Sequence, residues 1–237
     1  MFPNPLAGAQ TAEDVAVTEL RAAIMRGDLP PGAAIRQDAT ARKFGLSVIP
    51  VREALKTLTA EGLITHRAQQ GYVVTELDPE ELDGIYRVRE LLEGEAERVG
   101  VQRLNTPTLN AMRKSMHAQR LAARAADAVG VIANNRRFHF EIFDLCDNPL
   151  LRRYVRQIWD GLDSHQAVFY RRTLIIGDTS RLDRIHAEHG RILDTLAAGD
   201  HESAVGLLAQ HRRANHESLR AFLRSEGSLS QPHEWFR

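Results

Sequence analysis

The sequence holds a single cysteine, Cys146, so no internal disulfide is available, and aromatic residues make up only 6% of its 237 positions. A disulfide-stapled secreted scaffold is thereby excluded, and a reducing cytoplasm is the expected compartment. Neither sign of charge is in excess: 31 Lys and Arg balance 31 Asp and Glu, so the whole-chain charge makes no case for a nucleic-acid partner. No window approaches the ~20 continuous apolar residues that a membrane span needs. No early stretch joins a basic region to a long apolar run, as a secretion signal would. What remains, 43% hydrophobic and 26% charged residues with abundant Ala, Leu, Arg and Glu, suits a helical globular protein.

The pattern along the chain is mainly α. Residues 1–11, with two prolines and no periodicity, read as a disordered tail. From Ala12 to Arg26, Val15, Leu20, Ala23 and Ile24 recur at roughly helical spacing, and Gly27 with Pro30-Pro31-Gly32 stops the segment. A short amphipathic stretch, Gln37 to Phe44, ends at Gly45, and another runs from about Ser47 to Ala60 before Gly62. Two β-rich runs follow, Leu63 to Arg67 and Tyr72 to Thr75, separated by Ala68-Gln69-Gln70-Gly71, whose glycine suits a tight hairpin. Helix, helix, helix, hairpin is the order of a winged helix-turn-helix, here over 12–76. Asp78-Pro79 then looks like an N-cap and first helical residue. Helices are expected at about 79–104, 107–126, 128–146, 149–171, 179–198 and 200–226, forming an all-α antiparallel bundle over 77–226, with a tail at 227–237.

The second element of a helix-turn-helix enters the major groove, so one face must pack and the other must stay polar. Val51, Ala54, Leu55 and Leu58 fall at i, i+3, i+4 and i+7, while Arg52 and Lys56 share the opposite face. Arginine there can pair with guanine O6/N7 or hold a phosphate, and lysine serves as a point charge. Pro50 costs little in a first turn, and the Ser47 hydroxyl can cap the helix or meet a phosphate. Between Arg36 and Arg67 six cations (Arg36, Arg42, Lys43, Arg52, Lys56, Arg67) face three acids, an excess the whole chain hides. Arg67, Gln69, Gln70 and Gly71 of the hairpin tip would lie along the backbone or minor groove.

The runs Leu29-Pro30-Pro31-Gly32, Phe44-Gly45-Leu46-Ser47, Pro50-Val51-Arg52-Glu53-Ala54-Leu55, Glu61-Gly62-Leu63-Ile64 and Gly71-Tyr72-Val73-Val74 resemble the DNA-binding domain of GntR-type bacterial regulators. The resemblance implies a homodimer on double-stranded operator DNA, usually a repressor released by a metabolite. The chain departs from the pattern twice. Ser47-Val48-Ile49-Pro50 stands where Ser-Arg-Thr-Pro is common, and Asp38 where a DNA-contacting arginine is frequent, which implies weaker binding or an unusual operator. The C-terminal region, through Arg89-Glu90-Leu91-Leu92-Glu93, Asn135-Arg136-Arg137-Phe138-His139, Glu188-His189 and His211, resembles the FCD effector domain of one GntR subfamily.

Asn135 and His139, at i and i+4, project from one helical face. His189 and His211 flank Gly199-Asp200 almost symmetrically, so an antiparallel hairpin brings them to one height. Three imidazoles and an amide oxygen suit a divalent Zn, Ni, Mn or Fe ion with positions left open. His186, three residues before His189, is a reserve ligand or a partner that supports one. Arg89 is read as lying beside an apolar stripe of Ile85, Val88, Leu92 and Ala96 facing the core. It is implied by the resemblance to clamp a small organic acid, and it can alternatively pair with Glu93 at i+4. The favoured expectation is thus a metabolite-responsive, DNA-binding regulator rather than an enzyme. A metal sensor without an organic effector is an alternative. A metalloenzyme, with Glu141 or Glu188 as base, is a remoter one.

Overall fold

The computed structural model describes residues 10–226 apart from Asp178; the tails expected at 1–11 and 227–237 lie outside the described residues, save Gln10 and Thr11. The chain divides into two compact units between Glu76 and Leu77. In the first, helix α1 (Ala12–Arg26) starts on a reciprocal cap in which Asp14 N–H donates to Thr11 Oγ1 and Thr11 N–H to the Asp14 carboxylate. Helices α2 (Gln37–Phe44) and α3 (Val48–Ala60) hinge on Gly45, whose φ of 65° is the left-handed conformation glycine adopts without cost. Strands β2 (Ile64–Arg67) and β3 (Gly71–Val74) form the hairpin, with Ile64 opposite Val74 and Arg67 opposite Gly71.

A third strand was not expected. Strand β1 (Ala34–Ile35) pairs antiparallel with β3, Ala34 opposite Val73 and Ile35 opposite Tyr72, giving the sheet order β1-β3-β2. Two residues carry no readable alternation; the strand exists because β3 offers it an edge. The core is the apolar stripe of α3 (Val51, Ala54, Leu55, Leu58, all fully buried) packed on Ala16, Leu20, Ala23 and Ile24 of α1. Val15, expected inward, is half-buried, and Ala16 takes its place.

The second unit is built from α4 (Pro79–Gly100), α5 (Thr106–Arg124), α6 (Ala128–Phe143), α7 (Pro149–Ile175), α8 (Ser180–Ala197) and α9 (His201–Glu226). Asp78, Asn105 and Asn148 each accept a backbone N–H at a helix start, and each is followed within two residues by proline. Helix α4 stops at Gly100 and continues as a single 3-10 turn, Val101–Arg103, rather than running to 104. Helix α7 runs on to Ile175 because nothing before Gly177 breaks it.

The inward face of α4 differs from the expected one. Leu82, Tyr86, Arg89, Glu93 and Ala96 are buried, whereas Val88 is 44% exposed and Leu91 73%. Arg89 is therefore on the buried face, not beside it. The periodicity of apolar residues misled because three of the inward positions, Arg89, Glu93 and Glu97, carry ionisable side chains. Around this polar interior sit apolar clusters: Met112, Phe138, Ile142, Ile192 and Leu208 on one side, and Phe140, Phe143, Val155 and Trp159 on another.

Helix α4 approaches α6 so closely at Gly100 that an added Cβ would lie 2.3 Å from the Ile142 carbonyl oxygen. Gly100→Ala should cost ~2 kcal/mol or more, because backbone rather than a flexible side chain must yield. Gly84→Ala, exposed in the same helix with nothing within 4 Å of its Cβ, should instead gain about 0.5–1 kcal/mol. Urea unfolding of the two variants checks the contrast; equal effects would show that the α4–α6 approach is not as described.

Candidate functional site

On the first unit, Arg36, Arg42, Ser47, Arg52, Lys56, Arg67 and Gln70 are all exposed, and Pro50 and Gly71 are half-buried. Ser47 occupies the position before α3, but its hydroxyl makes no bond to the helix, so it is left facing outward rather than capping. Arg52 and Lys56 come together around Glu53, Lys56 Nζ at 2.9 Å and Arg52 Nε at 3.9 Å from Oε1. Arg67 at the hairpin is paired with Glu76 at 2.7 Å. Exposed pairs of this kind are worth ~1 kcal/mol or less, so phosphates can compete for these cations. Gln69 holds the turn with a φ of 65°, and Gly71 follows at 78°.

In the second unit, α6 delivers Asn135 and His139, α8 His189 and α9 His211, all four buried. One ligand atom of each histidine lies within 4.8 Å of the others. Ring centroids are 5.2 Å apart for His139 and His189, 5.1 Å for His139 and His211, and 4.7 Å for His189 and His211. Nδ1 of His189 lies 3.1 Å from the Gln119 amide oxygen, and Nδ1 of His211 lies 2.7 Å from Glu188 Oε2. An oxygen of either kind only accepts, so each Nδ1 carries its ring proton and each Nε2 keeps a lone pair. Both Nε2 atoms are buried with no hydrogen-bond partner. Oriented imidazoles with unpaired inward nitrogens fit a divalent ion, and the Glu188–His211 bond is the acceptor-to-histidine support such ligands use.

Burial holds all three histidines below their ordinary pKa; the neighbouring rings add to this at His139 and His189, as do the Arg89 and Arg212 charges at His139. At His211 the Glu188 carboxylate opposes the shift without cancelling it. The rings are thus neutral at pH 7, the form that binds metal. Asn135 stands differently. Its Oδ1 accepts from Gln119 Nε2 at 3.2 Å, and its buried Nδ2 has no partner. Ligation through the oxygen requires that amide to turn over or share its acceptor. His186 is half-buried on α8 and stands outside the group of three.

Both readings of Arg89 have a part. It forks onto Glu93, with Nε 2.5 Å from Oε1 and Nη2 3.2 Å from Oε2, and its guanidinium lies 4.6 Å from the Tyr86 ring centre and 4.9 Å from that of Trp159. The pair is buried rather than on the surface, and Arg89 Nη1 remains without a partner. Sequence reasoning missed the groups around it. Arg212 Nη1 bonds Glu93 at 3.2 Å and Glu97 at 2.8 Å, and Trp159 Nε1 donates to Glu93 at 2.9 Å. Burial pushes Glu97 up to about 8. Arg181 holds Glu188 at 3.2 Å and Asn215 at 2.9 Å, while its Nε is buried without a partner and the buried Tyr86 hydroxyl adjoins the Arg89 guanidinium. A signal for Arg181 existed: it lies four and eight residues before Ile185 and His189, on the buried stripe of α8. Gln119 and Arg212 belong to no motif. Glu188, committed to His211 and Arg181, is an orienting group and not a free base.

A family model described as the FCD domain matches residues 84–214, and one described as bacterial regulatory proteins, gntR family, matches residues 12–74. The chain is 30% identical to a probable D-xylose utilization operon transcriptional repressor of Paenarthrobacter nicotinovorans, over 79% of this chain and 80% of that one. It is 29% identical to the gluconate operon transcriptional repressor of Bacillus subtilis, over 80% of this chain and 74% of the relative. In fold it is similar to McbR/YncC of E. coli, with a TM-score of 0.75 at 24% identity, covering 93% of this chain and 100% of that one.

A histidine whose folded pKa is depressed binds fewer protons than in the unfolded chain, so its contribution to stability is full above the unfolded value near 6.5 and is lost as pH falls. All three histidines shift the same way. The melting temperature of chelator-treated protein should therefore drop from pH 7.5 to 5, and drop less steeply in His189→Gln. Parallel pH profiles for the two proteins would mean that these rings are not buried in the neutral form.

Proposed function

This chain belongs to the GntR family of bacterial regulatory proteins and carries an FCD domain, and from that premise we propose that it is a cytoplasmic, homodimeric repressor whose C-terminal unit binds a divalent metal and a small carboxylate. DNA binding and transcriptional regulation are the family's activity. The finer reading rests on one observation: the three inward-facing imidazoles lie within electrostatic reach of the buried Arg89 and Arg181, whose Nη1 and Nε have no hydrogen-bond partner. Buried donors without acceptors cost about 1–3 kcal/mol each, a cost that an anionic ligand removes.

His139, His189 and His211 would hold the metal, with Asn135 beside them, and Zn, Ni, Mn and Fe all suit the donor set. When bound, the ion supplies a positive centre for a carboxylate oxygen. Arg89 orients the same carboxylate through its spare Nη1, and Arg181 offers its unpaired Nε nearby. Effector binding shifts the population between states of different operator affinity, by no more than the effector's differential affinity for them. A sensor for the ion alone would leave those donors unpaired, which favours the organic acid. In each half of the dimer, Arg52 and Lys56 of α3 with Ser47, Pro50, Arg36 and Arg42 meet the operator, and Arg67, Gln70 and Gly71 lie along its backbone.

Arg52→Ala should weaken specific operator binding about 10- to 100-fold, the range for one bidentate arginine, with an unchanged thermal melt. Unaltered affinity would remove Arg52 from the interface. Protein purified without chelator or affinity tag should carry near-stoichiometric metal, and one of a panel of small carboxylates should raise its melting temperature only while the metal is present. His139→Ala should lose the metal and that response together. Full metal content in the variant would assign the histidines a purely structural role.

A further inference from the structure

Helix α3 exposes two large apolar side chains where its polar face begins: Val48 is 37% exposed and Ile49 63%. At about 100° per residue, Ile49, Arg52 and Lys56 fall within an arc of about 60°, on the side of the helix away from the buried stripe of Val51, Ala54, Leu55 and Leu58. Ile49 thus sits among the residues that face away from the protein core, about one turn from Arg52 and two from Lys56, in the N-terminal turn whose residues reach base edges in a helix-turn-helix. No acidic residue occupies that first turn. Neither side chain belongs to the apolar cluster that packs α3 on α1. Burying an isoleucine is worth about 1.5–3 kcal/mol, so leaving one outward has a cost that a DNA surface can offset.

A β-branched hydrocarbon cannot read guanine, cytosine or adenine by hydrogen bonding. The apolar feature that B-DNA presents in its major groove is the C5-methyl group of thymine. We propose that Ile49, flanked by Val48, is a specificity-determining residue that reads thymine methyl groups in each operator half-site, beside the base or phosphate held by Arg52. The two side chains exclude water from the methyl and leave no partner for an exocyclic amine at the same place. Cytosine there strands its N4 amine against hydrocarbon, and a desolvated, unpaired amine is penalised. The preference is thus for A·T pairs at the positions under α3, set by apolar contact and not by an arginine fork.

Removing a methyl from the DNA tests this without touching the fold. An operator is selected from random duplexes with the full-length chain, and each thymine is replaced singly by uracil, which lacks only the C5-methyl. Wild-type binding should weaken about fourfold at one or two thymines per half-site, the ratio for burying one methyl-sized group. Ile49→Ala, a change at an exposed position that should leave the melt unaltered, should bind the thymine operator about as weakly and be indifferent to uracil at those same positions. Two outcomes overturn the proposal: indifference of the wild-type chain to uracil at every position, or equal sensitivity of wild type and Ile49→Ala at the same thymine. In either case the exposed pair faces something other than bases.

Discussion

Charge taken out of water is the constraint around which the helical unit is packed. Arg89, Arg212, Arg181 and Glu93 are all buried, and removing an ion from water costs several kcal/mol unless its partners are complete. Glu93 is the meeting point: it receives Arg89 from its own helix, Arg212 from α9 and the Trp159 indole from α7. Three helices are thereby tied at one carboxylate. The cations that need those carboxylates also bear on the histidines, since Arg89 and Arg212 disfavour a proton on His139. The ion-pair network and burial act on the histidines in the same direction: desolvation is the main force that keeps the imidazoles neutral, the arginines add to it, and Glu93 keeps Arg89 and Arg212 in place.

Much of the fold was legible because its boundaries are written in residues with strong local preferences. Gly27 and Gly45 at positive φ, and the Asp78, Asn105 and Asn148 caps with their prolines, mark helix ends that tertiary packing had no reason to move. The α3 stripe was equally plain, with every apolar position buried. Illegible were elements owed to something distant in sequence. β1 depends on an edge offered by β3 some forty residues on. The inner face of α4 depends on Arg212 and Trp159, more than sixty residues away, which make Arg89 and Glu93 tolerable inside. A reading that equates inward with apolar puts Val88 on the wrong side.

The candidate site divides in the same way. His139, His189 and His211 follow from spacing alone, through a helical repeat and a symmetric hairpin, and the structure brings them together. Asn135 shares the face of His139 as its spacing requires, yet its oxygen is engaged by Gln119, a residue on α5 that no motif marks. Gln119 bridges Asn135 and His189 and so sets the orientation of two members of the site at once. Periodicity places residues on faces; which donor meets which acceptor is decided by neighbours that sequence spacing does not reveal.

The outward face of α3 and the hairpin has one more consequence, for ionic strength. Each cation that displaces a counterion from DNA steepens the fall of affinity with salt, by about 0.9 in the logarithmic slope per phosphate neutralised. Here Glu53 lies between Arg52 and Lys56, Arg67 is already held by Glu76, and hydrocarbon occupies the first turn of the reading helix. Each of these three cations leaves a carboxylate to meet a phosphate, so the salt slope is expected to be shallower than the number of cations on this face implies.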